Sequence, residues 1–113
     1  MAEEYEVRWS VESLYDVADI EDYIEYEFDY DRAQKFHDDI DQKGQELRTQ
    51  YRLSSGTGIH YRGFIIMKTL IRPSILFFIV DDSKKTVFVL RVLRHERNWQ
   101  KMLRETTFYT FRD

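Results

Sequence analysis

Ile75-Leu76-Phe77-Phe78-Ile79-Val80-Asp81, followed after Asp82-Ser83-Lys84-Lys85 by Thr86-Val87-Phe88-Val89-Leu90-Arg91-Val92-Leu93-Arg94, is the stretch that decides the fold. Each run has strand length and is rich in β-branched and aromatic residues, and the polar segment between them reads as a hairpin turn. In an extended chain, alternate side chains point to opposite faces. Here both alternating sets are apolar, so neither face of the hairpin can be left to water without cost. One set belongs to a core. The other, Ile75, Phe77, Ile79 and Leu93, needs a cover of its own.

Upstream, Ile59 to Ile71 is also strand-like, and Pro73 stands at the start of the next run, a position a strand tolerates. Ser54-Ser55-Gly56-Thr57-Gly58 reads as a loop. Before that loop the period becomes helical. Leu14, Val17, Ile20, Ile24 and Phe28 recur at steps of three and four behind Ser10, a helix cap, with Glu12 and Asp16 in the first turns. Asp29-Tyr30-Asp31 interrupts that helix and caps a second, with Ala33, Phe36, Ile40, Leu47 and Tyr51 as its apolar stripe. Tyr5 to Trp9 alternates like a half-buried strand. Downstream, Glu96 to Arg104 reads as a short closing helix with Trp99 and Leu103 inward. Residues 105–113 form a tail that either packs back or stays mobile. This order predicts one α+β domain over residues 1–113. An N-terminal strand and helical hairpin pack on one face of an antiparallel sheet, and a short C-terminal helix follows.

The 113 residues amount to one domain, and 42% hydrophobic content supports a folded core. With no cysteine, disulfides and thiolate metal sites are excluded. His37, His60 and His95 lack zinc-ligand spacing. Asp29-x-Asp31 lacks the rest of a calcium loop, and Gly56-Thr57-Gly58 lacks the Lys-Ser/Thr of a phosphate loop. No metal and no cofactor are expected. The acidic Met1–Glu6 has no leader-like pattern, and the longest apolar stretch, Ile75–Val80, is too short to cross a bilayer. A soluble, cytoplasmic protein with no membrane contact is expected. The net charge of −4 is unevenly spread: residues 1–50 carry 5 Lys/Arg against 16 Asp/Glu, and residues 51–113 carry 12 against 5. The basic half suits RNA or an acidic protein partner, although the same split can serve solubility alone.

Three segments carry a family resemblance. The opening Tyr5-Glu6-Val7-Arg8-Trp9-Ser10 is followed by Leu14, Asp16, Ile20, Tyr23 and Ile24. The central strand is Ile75 to Asp81. The last strand and its exit read Val89-Leu90-Arg91-Val92-Leu93-Arg94-His95-Glu96-Arg97-Asn98-Trp99. In this order and spacing they resemble the RelE/ParE superfamily of type II toxins, over about residues 5–103. The resemblance implies a growth inhibitor neutralised by a cognate antitoxin, with either of two activities. ParE-like members inhibit DNA gyrase and are not nucleases; RelE-like members are endoribonucleases that cut mRNA on the ribosome.

For a nuclease, the resemblance places Arg62, His95 and Arg97 at catalytic positions, with Lys68, Arg72, Arg91, Arg94 and Lys101 as binding cations. Metal-free cleavage through the RNA 2′-hydroxyl needs such acid, base and cationic groups. By alternation, Arg91, Leu93 and His95 are expected on one side of the sheet. Two departures favour the gyrase reading: Ile75 stands where the nucleases carry Arg, and Lys101 stands near their final-helix Tyr. The second apolar face is expected to be covered by the antitoxin, by a second copy in a homodimer, or by the tail residues Phe108, Tyr109 and Phe111.

Overall fold

The computed structural model describes residues 3–112; Met1, Ala2 and Asp113, at the ends of the expected domain, lie outside the described residues. The elements are β1 (Glu6–Trp9), α1 (Val11–Glu27), α2 (Tyr30–Gln50), β2 (Ser55–Tyr61), β3 (Phe64–Ile71), β4 (Ser74–Asp81), β5 (Thr86–Arg94) and α3 (Trp99–Glu105). They form the expected α+β arrangement around a five-stranded sheet of order β1-β5-β4-β3-β2.

The sheet differs from expectation in two ways. β2 to β5 are antiparallel, but β1 lies parallel beside β5, so the sheet is mixed. The expected loop over 54–58 and single strand over 59–71 are instead a hairpin, β2–β3. Its turn is Arg62-Gly63, with φ of 51° and 85°. Two successive left-handed residues twist a tight turn to match the strands, and Asn-Gly or Asp-Gly is its usual signature. Arg in the first position disguised it.

Both helix caps form: Ser10 Oγ accepts from Ser13 N–H at 2.9 Å, and Asp29 accepts from Arg32 N–H at 2.7 Å. In α2 the buried face is Ala33, Phe36, Ile40, Gly44 and Leu47, as the spacing predicts. Gly44 admits the Trp9 ring, because a Cβ there would lie 3.0 Å from it. In α1 the buried set is Ser13, Asp16, Val17, Ile20 and Ile24, whereas Leu14 and Phe28 are 55% and 56% exposed. The apolar stripe is thus turned by a residue at its start. The cause is local: Ser10 is buried and donates to Leu90 O at 2.7 Å, and Ser13 donates back to Ser10 O at 2.7 Å, which draws that side of the helix to the sheet. The closing helix starts at Trp99, three residues later than expected, behind an Asn98 cap.

The hairpin of helices covers one sheet face, burying Val17, Ile20, Phe36 and Leu47 against Leu76, Phe78, Val87 and Val89. The other face, expected to need a cover, is covered by the chain itself. Phe77, Ile79, Leu90 and Leu93 are buried beneath Leu103 and Tyr109, with Ile75, Trp99 and Phe111 packed around them. Tyr109 meets Tyr61 edge-on at 4.9 Å, and Phe111 meets Phe88 at 5.0 Å. Thr110 is fastened to the start of α1: Val11 N–H donates to its carbonyl, and its own N–H donates to Glu12, each at 2.8 Å. Of the covers expected, the tail holds this face. Phe108, named with it, stays exposed.

Candidate functional site at the end of the last strand

β1 stops pairing opposite Val89, leaving the rest of the β5 edge without a strand neighbour. The first turns of α1 take over. Ser10 N–H donates to Val89 O, Ser10 Oγ–H donates to Leu90 O, and Val92 N–H donates to Asp16 Oδ2 at 3.0 Å. At the same place β5 bulges: Phe77 pairs with Arg91 but Phe78 pairs with Val89, so Leu90 is an extra residue. The bulge lies before Arg91, and beyond it the expected alternation holds: Arg91 pairs with Phe77 and Leu93 with Ile75, both on one side of the sheet. Arg91 turns to α1, Leu93 is buried under the tail cover, and His95 lies beyond the strand end.

Arg91 grips Asp16 with two parallel bonds, Nε at 2.6 Å and Nη2 at 2.8 Å. The two side chains are only 18% and 11% exposed. Hydrogen bonding to Asp16 holds the Arg91 guanidinium above its ordinary pKa, outweighing the opposing effect of burial. Arg91 is therefore engaged within the fold. Arg94 stacks 3.9 Å over the Tyr23 ring and pairs with Glu96 at 3.0 Å. Arg97 points a guanidinium nitrogen at Met102 Sδ, 3.9 Å away. Together Arg91, Arg94 and Arg97 line a cleft of about 220 Å³ with Asp16, Asp19 and Tyr23. His95 is exposed beside it, its Nδ1 3.0 Å from the Pro73 carbonyl oxygen. That acceptor requires the proton on Nδ1, leaving Nε2 toward solvent.

The remaining expected residues are not gathered there. Lys68 sits over the Trp99 ring at 5.1 Å on the tail-covered face. Lys101 is exposed, 3.9 Å from Glu105. Arg72, in the β3–β4 turn, lines a different and larger groove, about 650 Å³, between that turn and the helical hairpin, with Ile24, Phe28 and Phe36. Arg62 is at the opposite end of the sheet, because the β2–β3 turn and the exit of β5 lie at opposite ends of β3. Ile75 packs among the apolar residues under the tail. Asp16 and Tyr23, the partners of Arg91 and Arg94, were not expected from the sequence. The one available signal was a carboxylate on the core-facing side of α1, three residues after Ser13.

The family model described as ParE toxin of type II toxin–antitoxin system, parDE, matches residues 7–99. The chain belongs to the ParE toxin family. The match spans β1 through the Arg-rich exit of β5, so the cleft lies within it. Among solved structures, the chain is similar to one from the chromosomal ParDE toxin–antitoxin system of P. aeruginosa. That likeness has a TM-score of 0.66 at 20% identity, over 81% of this chain and 97% of the other, and shows the shared fold. A chain of the toxin–antitoxin complex RelBE2 from Mycobacterium tuberculosis aligns at 17% identity over 84% and 95%, with a TM-score of 0.49. A sequence search of curated proteins returned no match. Among the described residues of this ParE-family toxin, no helix is long and apolar enough to cross a membrane. None of their His, Cys, Asp and Glu side chains form a metal-binding group.

Proposed function

We propose that this ParE-family toxin arrests growth by binding DNA gyrase rather than by cutting mRNA on the ribosome, and that a cognate antitoxin neutralises it. The observation that carries the reading is the dispersal of the candidate nuclease groups. RNA cleavage through the 2′-hydroxyl needs an acid, a base and cations within reach of one phosphate. Arg62 is separated from His95 by the length of β3, about 23 Å for its eight residues. Of the cations near His95, Arg91 is held by Asp16 and Arg94 by Tyr23 and Glu96, and Arg97 alone has no ion-pair partner among the described residues. Ile75 brings an apolar side chain where a nuclease has a cation. A binding inhibitor requires none of these groups in one place, only a stable surface. The antitoxin binds elsewhere than the Ile75–Leu93 face, which the tail already fills.

The test is induction in cells with two readouts, joined to a supercoiling assay with purified gyrase. DNA-damage signalling and inhibited supercoiling are expected, and His95→Ala should remain toxic. Codon-phased mRNA cuts that disappear in His95→Ala, without any effect on gyrase, would establish the endoribonuclease instead. Co-expression of an antitoxin encoded next to the toxin gene should restore growth in either case.

A further inference from the structure

The outward face of α1 is unusual in two independent respects. From Val11 to Glu27 the helix carries seven carboxylates, of which only Asp16 is buried, and no lysine or arginine. It also exposes aromatics: of the ten exposed large hydrophobic side chains among the described residues, Tyr15, Tyr23 and Tyr26 lie on α1, with Phe28 and Tyr30 just beyond its end. Tyr15, Asp19, Asp22 and Tyr26 are spaced four, three and four residues apart, so they form one stripe, opposite the buried Val17, Ile20 and Ile24. Tyr15 is 66% and Tyr26 87% exposed. Asp16 is used by Arg91 and Glu21 by His37, but Asp19 and Asp22 form no ion pair among the described residues. Among the described residues Tyr15 and Tyr26 make no hydrogen bond and no ring contact, and tyrosine is a residue that interfaces favour.

The chain itself shows what such a surface takes. Next to the stripe, Arg94 lies 3.9 Å over Tyr23, and at the helix end Arg32 lies 4.9 Å over Phe28. A guanidinium stacks on a phenol ring and offers a fork of donors to a carboxylate, which an ammonium cannot match. We infer that the Tyr15–Tyr26 stripe of α1 is a docking surface for an arginine-bearing basic segment of a partner protein. Phosphate backbones are repelled by a helix of this charge. Two copies cannot meet symmetrically through it, because each would bring the same carboxylates. The inference is independent of whether gyrase or the ribosome is the target.

The experiment uses the full chain and three alanine-based helical peptides, identical except for arginine, lysine or glutamine at positions four and seven residues apart. Amide shifts and affinity are followed by NMR titration. The arginine peptide is expected to shift residues 15–26 and to bind several-fold more tightly than the lysine peptide, with the glutamine peptide inert. Tyr15→Ala/Tyr26→Ala should weaken binding about tenfold, the loss of two exposed cation–π contacts, with an unchanged unfolding midpoint. Asp19→Asn/Asp22→Asn should weaken it and flatten its salt dependence. Equal binding of arginine and lysine peptides, shifts mapped elsewhere, or full affinity in the double tyrosine variant would overturn the assignment. So would concentration-dependent self-association through residues 15–26, which would make a second copy the occupant.

Discussion

Asp16→Ala removes three contacts at once: two charge-assisted bonds from Arg91 at 2.6 and 2.8 Å, and the bond from the Val92 amide at 3.0 Å. Removing one partner of a buried ion pair costs about 3–5 kcal/mol, mostly because the other charge is left without compensation. Arg91 keeps 18% of its side chain exposed, so part of that charge regains water, which puts the expected loss near the lower end, about 3 kcal/mol. Asp16→Asn keeps an acceptor for Val92 N–H and should lose about half as much. Arg91→Ala in the Asp16→Ala background should add little, giving a coupling of about 2 kcal/mol. Lys35→Ala, at the exposed 2.9 Å pair with Asp39, is the contrast and should change stability by less than about 0.5 kcal/mol. Urea denaturation with a constant slope measures these four and Arg91→Ala alone, which closes the cycle. If Asp16→Ala costs under about 1 kcal/mol, or the cycle shows no coupling, Asp16 does not bind α1 to the β5 edge as described.

Tyr109→Ala should cost about 3 kcal/mol, as truncation of a buried aromatic does, and should raise binding of an apolar dye as Phe77, Ile79 and Leu90 lose their cover; unchanged stability and dye response would show that the tail is no cover. His37 lies 2.7 Å from Glu21, and that hydrogen bond chiefly raises its pKa. Its stabilising contribution is therefore full below the ordinary imidazole value of about 6.5 and fades as pH rises through the elevated folded value. Unfolding midpoints across neutral pH should carry this decline, and His37→Gln should flatten it; a decline on acidification through the same range would contradict the assignment. Arg62→Asn relieves a side chain held at φ 51° and should raise stability by about 0.5 kcal/mol. Growth arrest should persist in that variant, and its loss would return Arg62 to the functional surface.

The local pattern alone determined the element types apart from β2, the helical hairpin and its caps at Ser10 and Asp29, the stripe of α2, and the double-sided apolar character of β4 and β5. These are short-range properties, set by side-chain period and by which residue can close a helix end. The family resemblance was equally legible, because it rests on the order of segments along the chain. The Arg62-Gly63 hairpin was not legible, since an arginine was forced into a conformation for which its residue type gives no signal. The cover on the second sheet face was narrowed to a few candidates but not chosen, because Tyr109 and Phe111 look alike whether they are mobile or packed. The site depended most on tertiary structure. Strand alternation put Arg91 on one side with Leu93, as found, yet nothing in the sequence showed that its side chain would reach at the open β5 edge to Asp16, 75 positions away. Which carboxylate meets an edge arginine is set by how the strand and the helix come together there, and pairing across that distance leaves no period in either segment to read.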